Sequence, residues 1–309
     1  MNIISKKVNL APIVLFVYNR LDHTRQTIKA LRRNKYASES SLFIYSDAAK
    51  NNAEDAKEKE KEVREYIKTI DGFKKVTIIE RDKNWGLANS IIDGVTKIVN
   101  EYGKIIVLED DLVTNPYFLK FMNEALEMYQ DEPKVVSIHG YIYPIENLPE
   151  TFFIRGADCW GWATWAHDWK LFESEGQKLL DDLKQKGLQR EADFNNSYGY
   201  TRMLKDQIKG RNDSWAIRWY MSAFLQNKLT LYPKESLVQN IGNDGSGTHC
   251  NPTEQFFINN LSKKMPILDK AIEVEETVEA KNLMEKYLIS IKPNLFSKCL
   301  SRMRYIIRL

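Results

Sequence analysis

Cysteine is scarce: Cys159, Cys250 and Cys299 are the only three in 309 residues. They are far apart, odd in number and without metal-ligand spacing, which excludes a disulfide framework or a zinc site and suits a reducing compartment. Net charge is equally scarce. Forty-five Lys and Arg against 42 Asp and Glu leave +3, so no global field favours nucleic acid, and any polyanion must be met locally. Long apolar runs are lacking too. Nothing approaches the roughly 20 residues of a membrane span, and the short run Val14 to Val17, behind Lys6 and Lys7, is too short for a signal peptide and has no small-residue cleavage pattern. The expectation is a cytoplasmic globular protein with no nucleic-acid partner. There is no internal repeat, and no low-complexity segment beyond the charged stretch Lys57 to Lys61. What is present, 43% hydrophobic and 28% charged residues, fills the core of one large domain or two smaller ones.

The first half alternates strand and helix patterns. Ala11 to Val17 is a nearly continuous Val/Ile-rich run ending in Tyr18, Asn19 and Arg20, as for a strand buried on both faces. Asp22 is placed to cap a helix running to Arg33, and Ser41 to Tyr45 returns as a second strand ending at Ser46 and Asp47. Between Asn51 and Ile70 the chain is dense in Glu and Lys, yet Val63, Ile67 and Ile70 recur with helical spacing, as in a solvated helix with one narrow apolar face. A third strand, Val76 to Ile79, leads through Asn84-Trp85-Gly86 into a helix marked by Ala88, Ile91, Ile92, Val95, Ile98 and Val99. Lys104 to Leu108 is a fourth buried strand and runs directly into Glu109, Asp110 and Asp111. The expected fold is α/β, a mainly parallel sheet flanked by helices. Ligands of such sheets gather at the carboxyl ends of strands, where Tyr18 to Arg20, Ser46 to Asp47 and Glu109 to Asp111 all lie.

Beyond Tyr141 aromatic residues become frequent and the strand-helix rhythm is lost. The expected organisation is an α/β half over residues 1–140, a second half of the same domain over 141–260, and a helical tail over 261–309. From Lys292 to Leu309, Lys298, Arg302, Arg304 and Arg308 alternate with apolar residues. That mixture fits an interfacial helix touching a membrane, or equally a terminal helix docked on the body.

A hard divalent cation such as Mn²⁺ or Mg²⁺ takes oxygen ligands, and a carboxylate at a strand end can hold it while substrate phosphates complete the shell. Glu109, Asp110 and Asp111 supply that chemistry. Strand alternation directs Glu109 and Asp111 to one side, with Asp111 as the direct ligand. The alternative is that these acids cap the helix announced by Asn115 and Pro116.

An apolar strand followed by Glu-Asp-Asp-Leu, then Pro, an aromatic pair and a helix, resembles the metal-binding motif of metal-dependent glycosyltransferases of the GT-A fold. It is most similar to the inverting N-acetylglucosaminyltransferase group that includes the Golgi enzyme of N-glycan branching. Asn19-Arg20 and Ser46-Asp47 resemble the strand-end pair and the acidic turn that contact the nucleotide. The resemblance implies a sugar transferred with inversion from a nucleotide-sugar, with UDP as the carrier, to a saccharide or lipid-linked saccharide, as in surface polysaccharide or glycan synthesis. In chemical terms Asp47 can accept from a uracil N–H or ribose hydroxyls and Arg20 can donate to base or phosphate oxygens, unless the two merely pair with each other. The loop containing Gly86 and Asn89 resembles the Asn-x-Gly loop beside the donor, and a plain loop before a helix explains it as well.

In the second half, Gly161-Trp162 resembles the Gly-Trp segment that borders the donor sugar. The surrounding tryptophans form either a sugar platform or a core. Asn212-Asp213-Ser214-Trp215 resembles the segment carrying the catalytic base, which makes Asp213 the candidate, although superposing the tryptophans puts the base position on Ser214. Asp213 could instead cap the helix Trp215 to Leu225. The loop from Gly242 to His249 can close over a diphosphate, with His249 as a phosphate or metal contact, or be a simple surface loop. It lacks the ending of a P-loop. A sugar-nucleotide pyrophosphorylase is the second enzyme reading, weakened by Tyr18-Asn19-Arg20-Leu21 where such enzymes carry a glycine-rich loop. A non-catalytic carbohydrate-binding protein is the third.

Overall fold

In the computed structural model, which describes residues 9–50, 54–245, 258, 261–262, 264–268 and 272–292, the first apolar run forms β1 (Ile13–Val17), buried throughout. It is followed by α1 (Leu21–Leu31), β2 (Ser41–Ser46), α2 (Glu54–Ile67), β3 (Lys75–Glu80), α3 (Leu87–Tyr102) and β4 (Lys104–Glu109). Asp22 does not cap α1. Arg20 occupies the cap position without a side-chain hydrogen bond, and Asp22 lies in the first turn, where a carboxylate meets the positive end of the helix dipole. Beyond β4 come β5 (Leu112–Thr114), α4 (Phe118–Met128), β6 (Val135–His139), β7 (Thr151–Arg155), β8 (Trp162–Trp165) and α5 (Ala166–Trp169). Then follow α6 (Gly176–Gln185), α7 (Gln189–Ala192), α8 (Tyr200–Ile208), α9 (Trp215–Leu225), β9 (Leu229–Pro233), β10 (Val238–Asn240) and α10 (Val278–Ser290).

Eight strands form one sheet in the order β3-β2-β1-β4-β8-β6-β9-β7. β1 to β4 run parallel, β9 runs parallel to β6, and β8 and β7 run against their neighbours. This is the expected mixed, largely parallel sheet flanked by helices. Beyond Tyr141, where the strand-helix rhythm of the sequence is lost, β7, β8 and β9 extend the same sheet; they are short, and Thr, Trp and Tyr interrupt their apolar pattern.

Helices cover both faces. Leu15, Ile44 and Leu108 face Ile28 of α1, Val63 of α2 and Phe121 of α4 in one core. Val14, Phe16 and Val107 face Ile91 and Val95 of α3 and Trp219 of α9 in the other. A third core gathers Leu183, Leu204, Phe224 and Met284 beneath α6, α8, α9 and α10. So α10 docks on the body, while the tail segment 293–309 lies outside the described residues. Among the described residues no helix is long and apolar enough to cross a membrane.

Two features aim the fold at a site. β2 and β4 flank β1 on opposite sides, so the winding reverses between β1 and β4 and opens a crevice at their carboxyl ends. A second, two-stranded sheet pairs β10 with β5, Asn240 opposite Leu112, and carries the chain after β10 back over that crevice.

Candidate active site

Alternation along β4 sends Ile106 and Leu108 to one face and Ile105 and Val107 to the other. It ends at Glu109, because the chain turns at Asp110 and Asp111 before β5. Asp110 and Asp111 meet on one partner, Arg20, while the Asp111 charge also bears on Glu109. The Arg20 Nη2 donates to Asp111 Oδ2 at 2.8 Å and also to Asp110 Oδ1. Thr27 Oγ1 fixes the turn by donating to the Asp110 carbonyl at 2.8 Å. Arg20 does not bridge to Asp47, and the acids do not cap α4.

Three carboxylates share one guanidinium here, and the imbalance shows in their protonation. Burial first, then Asp111 and Asp110, pushes Glu109 up to about 8. Burial also pushes Asp110 up to about 6 against the pull of Arg20. Arg20 itself is held above its ordinary range by the two aspartates, although burial opposes them. Asp110 Oδ2 is buried without a hydrogen-bond partner.

This set fits a divalent cation. The Arg20 guanidinium is the one cation paired with Asp110 and Asp111 among the described residues, excess negative charge remains, and one acceptor atom is unused. Among the described residues no three His, Cys, Asp or Glu side chains converge on a metal point. The fit is accordingly to an ion held by one or two carboxylates and completed by phosphate oxygens.

The chain after β10 straps this cluster. Ile241 N donates to the Asp111 carbonyl at 2.9 Å, and Asp244 Oδ2 lies 3.2 Å from His23 Nε2 on α1. Between them Gly242 packs so closely that a Cβ would collide with the Asp111 carboxylate and lie 3.0 Å from Arg20 Nη1. The loop that begins at Gly242 is the one expected to close over a diphosphate, whereas His23 escaped the sequence reading, since only the fold brings α1 against that loop. His249 lies outside the described residues.

Asp47, buried at the end of β2, anchors the neighbouring loop. Its Oδ1 accepts from Ala48 N at 3.0 Å and Trp85 N at 2.9 Å, and its Oδ2 accepts from Gly86 N at 3.0 Å and Asn84 Nδ2 at 3.3 Å. Asn89 Nδ2 donates to the Trp85 carbonyl at 3.0 Å across the first turn of α3. Gly86 precedes α3, and Asp213 Oδ2 accepts from Ala88 N at 3.4 Å. Asp213 is thus exposed beside the start of α3 and does not cap α9. Ser214 is the cap, its Oγ accepting from Ile217 N at 3.2 Å. Asn19 lies partly exposed in the bend between β1 and α1.

The expected donor-sugar contacts at Gly161 and Trp162 are corrected. Trp162 is 0% exposed and sits in a tryptophan cluster, 5.4 Å from Trp215 and 6.0 Å from Trp219 between ring centres. Gly161 is buried at φ +70, and a Cβ there would come within 2.8 Å of Val238 Cγ2 and 3.2 Å of Phe118 Cε2. Both serve packing. Trp160, two residues earlier, keeps part of its surface open.

A model described as Glycosyl transferase family 2 matches residues 13–185, more than half of the chain. The chain belongs to glycosyl transferase family 2. The matched stretch contains Arg20, Asp47 and the Glu109 to Asp111 cluster, and ends before Asp213. Among solved structures, the mannosyltransferase PcManGT from Pyrobaculum calidifontis in complex with GDP-Man and Mn²⁺ is similar at 13% identity and TM-score 0.31, covering 45% of this chain and 40% of that one. The S. aureus TarS structure matches at 13% identity and TM-score 0.39, over 74% of this chain and 36% of that one. TarS residues 1-349 match at 10% identity and TM-score 0.40, over 74% and 59%. The family 2 chain therefore spans between 36% and 59% of the length of these proteins, and likenesses this distant assign no site or substrate to it. No curated protein matches the chain.

Proposed function

We propose that this family 2 glycosyltransferase transfers a hexose or N-acetylhexosamine, with inversion, from a UDP-sugar to a saccharide or lipid-linked saccharide acceptor on the cytoplasmic face of a membrane. The observation that carries the reading is Arg20, Asp110 and Asp111 joined at the switch point between β1 and β4, where a nucleoside diphosphate meets the sheet. Inversion, and the likeness to N-acetylglucosaminyltransferases, rest on the Glu-Asp-Asp-Leu resemblance.

Each residue has a chemical part. Asp111, with Asp110 beside it, would hold Mn²⁺ or Mg²⁺, which when bound neutralises charge on the departing diphosphate. Once its carboxylates have another cation, Arg20 is free to turn its guanidinium to phosphate oxygens. Asp47 shapes the 84–89 loop against which the nucleoside would lie. Asp213, exposed beside that loop, is the carboxylate offered as general base for the acceptor hydroxyl. The strap Ile241–Gly245 would close over the diphosphate. Membership of a glycosyl transferase family weighs against a pyrophosphorylase, which transfers a nucleotidyl group and not a sugar.

The test is thermal stability with UDP, GDP, dTDP or CMP, each with Mn²⁺ or with EDTA, on the wild type and Asp111→Ala. A ligand bound only by the folded state raises the melting temperature. Metal-dependent stabilisation by UDP that Asp111→Ala loses supports the proposal. No stabilisation by any nucleotide sinks it and promotes the carbohydrate-binding reading.

A further inference from the structure

The outer face of α1 concentrates positive charge that the +3 balance of the whole chain conceals. Arg25, Lys29, Arg32 and Arg33 stand at i, i+4, i+7 and i+8, so they share one stripe along the helix and its end. All four are exposed. They surround a groove of about 560 Å³ whose remaining walls are Ile28 of α1 and Tyr66 of α2. From Arg25 to Arg33 the stripe runs about 12 Å at the helical rise.

The groove is held in shape from below. Ile28 is buried and closes the bottom, while Tyr66 packs on the same core and keeps part of its surface exposed. The Arg25 guanidinium lies over the Tyr66 ring, 5.5 Å from its centre. Burial raises the Tyr66 phenol, and the charges of Arg25 and Arg32 pull against it, so both guanidiniums bear on the groove. Arg32 is set by a tight turn: at Gly72, φ +83, a Cβ would come within 3.1 Å of Arg32 Nε.

The charge is only partly answered within the chain. Asp22 lies 3.6 Å from Arg25 and Asp71 lies 2.6 Å from Arg32, but these carboxylates are 87% and 77% exposed, and ion pairs so open to water are weak. Among the described residues Lys29 and Arg33 have no acidic partner. Glu60 and Glu65 of α2 pair with Arg64 and Lys61 of their own helix.

Cations spread along an outward face do not converge on one point, as the donors for a single phosphate would. They match several phosphates side by side. An anionic bilayer presents such a row, and clusters of four or more Lys and Arg on an amphipathic helix are drawn to it. The aliphatic stems lie along the surface while the charged heads reach the phosphates, and tyrosine is favoured at that depth. A nucleic-acid duplex also offers a row of phosphates, but an Ile28–Tyr66 floor gives it nothing to bind.

We propose that this face of α1 docks on an anionic phospholipid membrane, with Arg25, Lys29, Arg32 and Arg33 against headgroup phosphates and Tyr66 at the interface. α1 begins at Arg20, its N-cap residue, so docking along α1 holds the crevice beside the bilayer, where a lipid-linked acceptor would present its sugar. That consequence rests on the transferase reading; the docking surface itself does not.

Vesicle co-sedimentation of the full chain tests this, with phosphatidylcholine alone or mixed with phosphatidylglycerol. The wild type should bind the mixed vesicles, ignore the neutral ones and be released by high salt. Lys29→Gln with Arg33→Gln should weaken binding roughly tenfold, while Lys29→Arg with Arg33→Lys should stay within about twofold of the wild type. Both double variants should keep the wild-type melting temperature and its rise with UDP and Mn²⁺, since the two side chains are exposed and unpaired. The proposal is overturned if the mixed vesicles do not bind, if neutral vesicles bind equally well, or if the Gln pair binds like the wild type. It also fails if only Arg302→Gln with Arg304→Gln in the tail abolishes binding, or if a DNA duplex binds more tightly than the vesicles. Stabilisation of the wild type by free inorganic phosphate, lost in the Gln pair, would make the groove a small-anion site instead. If UDP never binds but charge-dependent vesicle binding persists and falls in the Gln pair, the docking surface stands and the transferase reading fails.

Discussion

Arg20 is the side chain on which the site turns, because it sits where the sequence suggests a nucleotide contact yet spends its guanidinium on Asp110 and Asp111. Removing it leaves two crowded carboxylates without a counter-charge. Arg20→Ala should lower stability by about 2 kcal/mol, the range for hydrogen bonds to charged groups. Millimolar Mn²⁺ should then recover more of the loss in the variant than it adds to the wild type, since a bound cation replaces the missing one. Melting curves with Mn²⁺ and with EDTA read this directly. Equal Mn²⁺ shifts in both proteins would show that Arg20 does not stand in for a metal.

At the scale of elements, the 84–89 loop is held from two sides, by Asp47 and by a buried cation. Arg81 is 6% exposed, stacks 4.0 Å from the Trp85 ring and pairs with Asp93 on α3 at 2.5 Å. Burial works against the Asp93 charge, but hydrogen bonds from Arg81 and Lys97 outweigh it and hold the carboxyl below its ordinary range. A depressed carboxyl stabilises above its unfolded value and loses that contribution as pH falls through the folded one. Asp93→Asn should therefore cost roughly 1–3 kcal/mol at pH 6 to 8, and the difference from wild type should shrink below about pH 4. Denaturant titrations across pH decide it; a pH-independent difference would remove the ion pair as its cause. Elements of this kind were unevenly legible in the sequence. β1 to β4 and α3 declared themselves because buried parallel strands and one-sided helices leave continuous or 3.6-spaced apolar patterns. Arg20, Asp47 and the three acids were legible because they end those strands. What stayed hidden depends on pairings between distant segments. The order of β6 to β9 and the contact between His23 and the Gly242 loop come from such pairings, and composition does not reveal that Trp162 and Trp165 are buried while Trp160 keeps exposed surface.

For the whole molecule, the decisive feature is that one sheet passes through both halves of the chain. β8 pairs with β4 along Lys104–Val107, so second-half residues complete the sheet begun by the first. Above that seam Trp162 packs on Trp169, Trp215 and Trp219, and the same core includes Ile91, Val95 and Val107 from the first half. Neither half can bury these surfaces alone, and we propose that residues 1–140 and 141–260 unfold together. Far-UV circular dichroism, which follows the whole backbone, and near-UV dichroism, which follows the tryptophan cluster, should give coincident denaturant transitions. Trp162→Ala removes the side chain at the centre of the seam. It should cost about 3–5 kcal/mol and shift both transitions by the same amount. If instead the near-UV signal melts first and the backbone signal resolves into two steps, the halves are separate folding units and the tryptophan cluster is an interface between them.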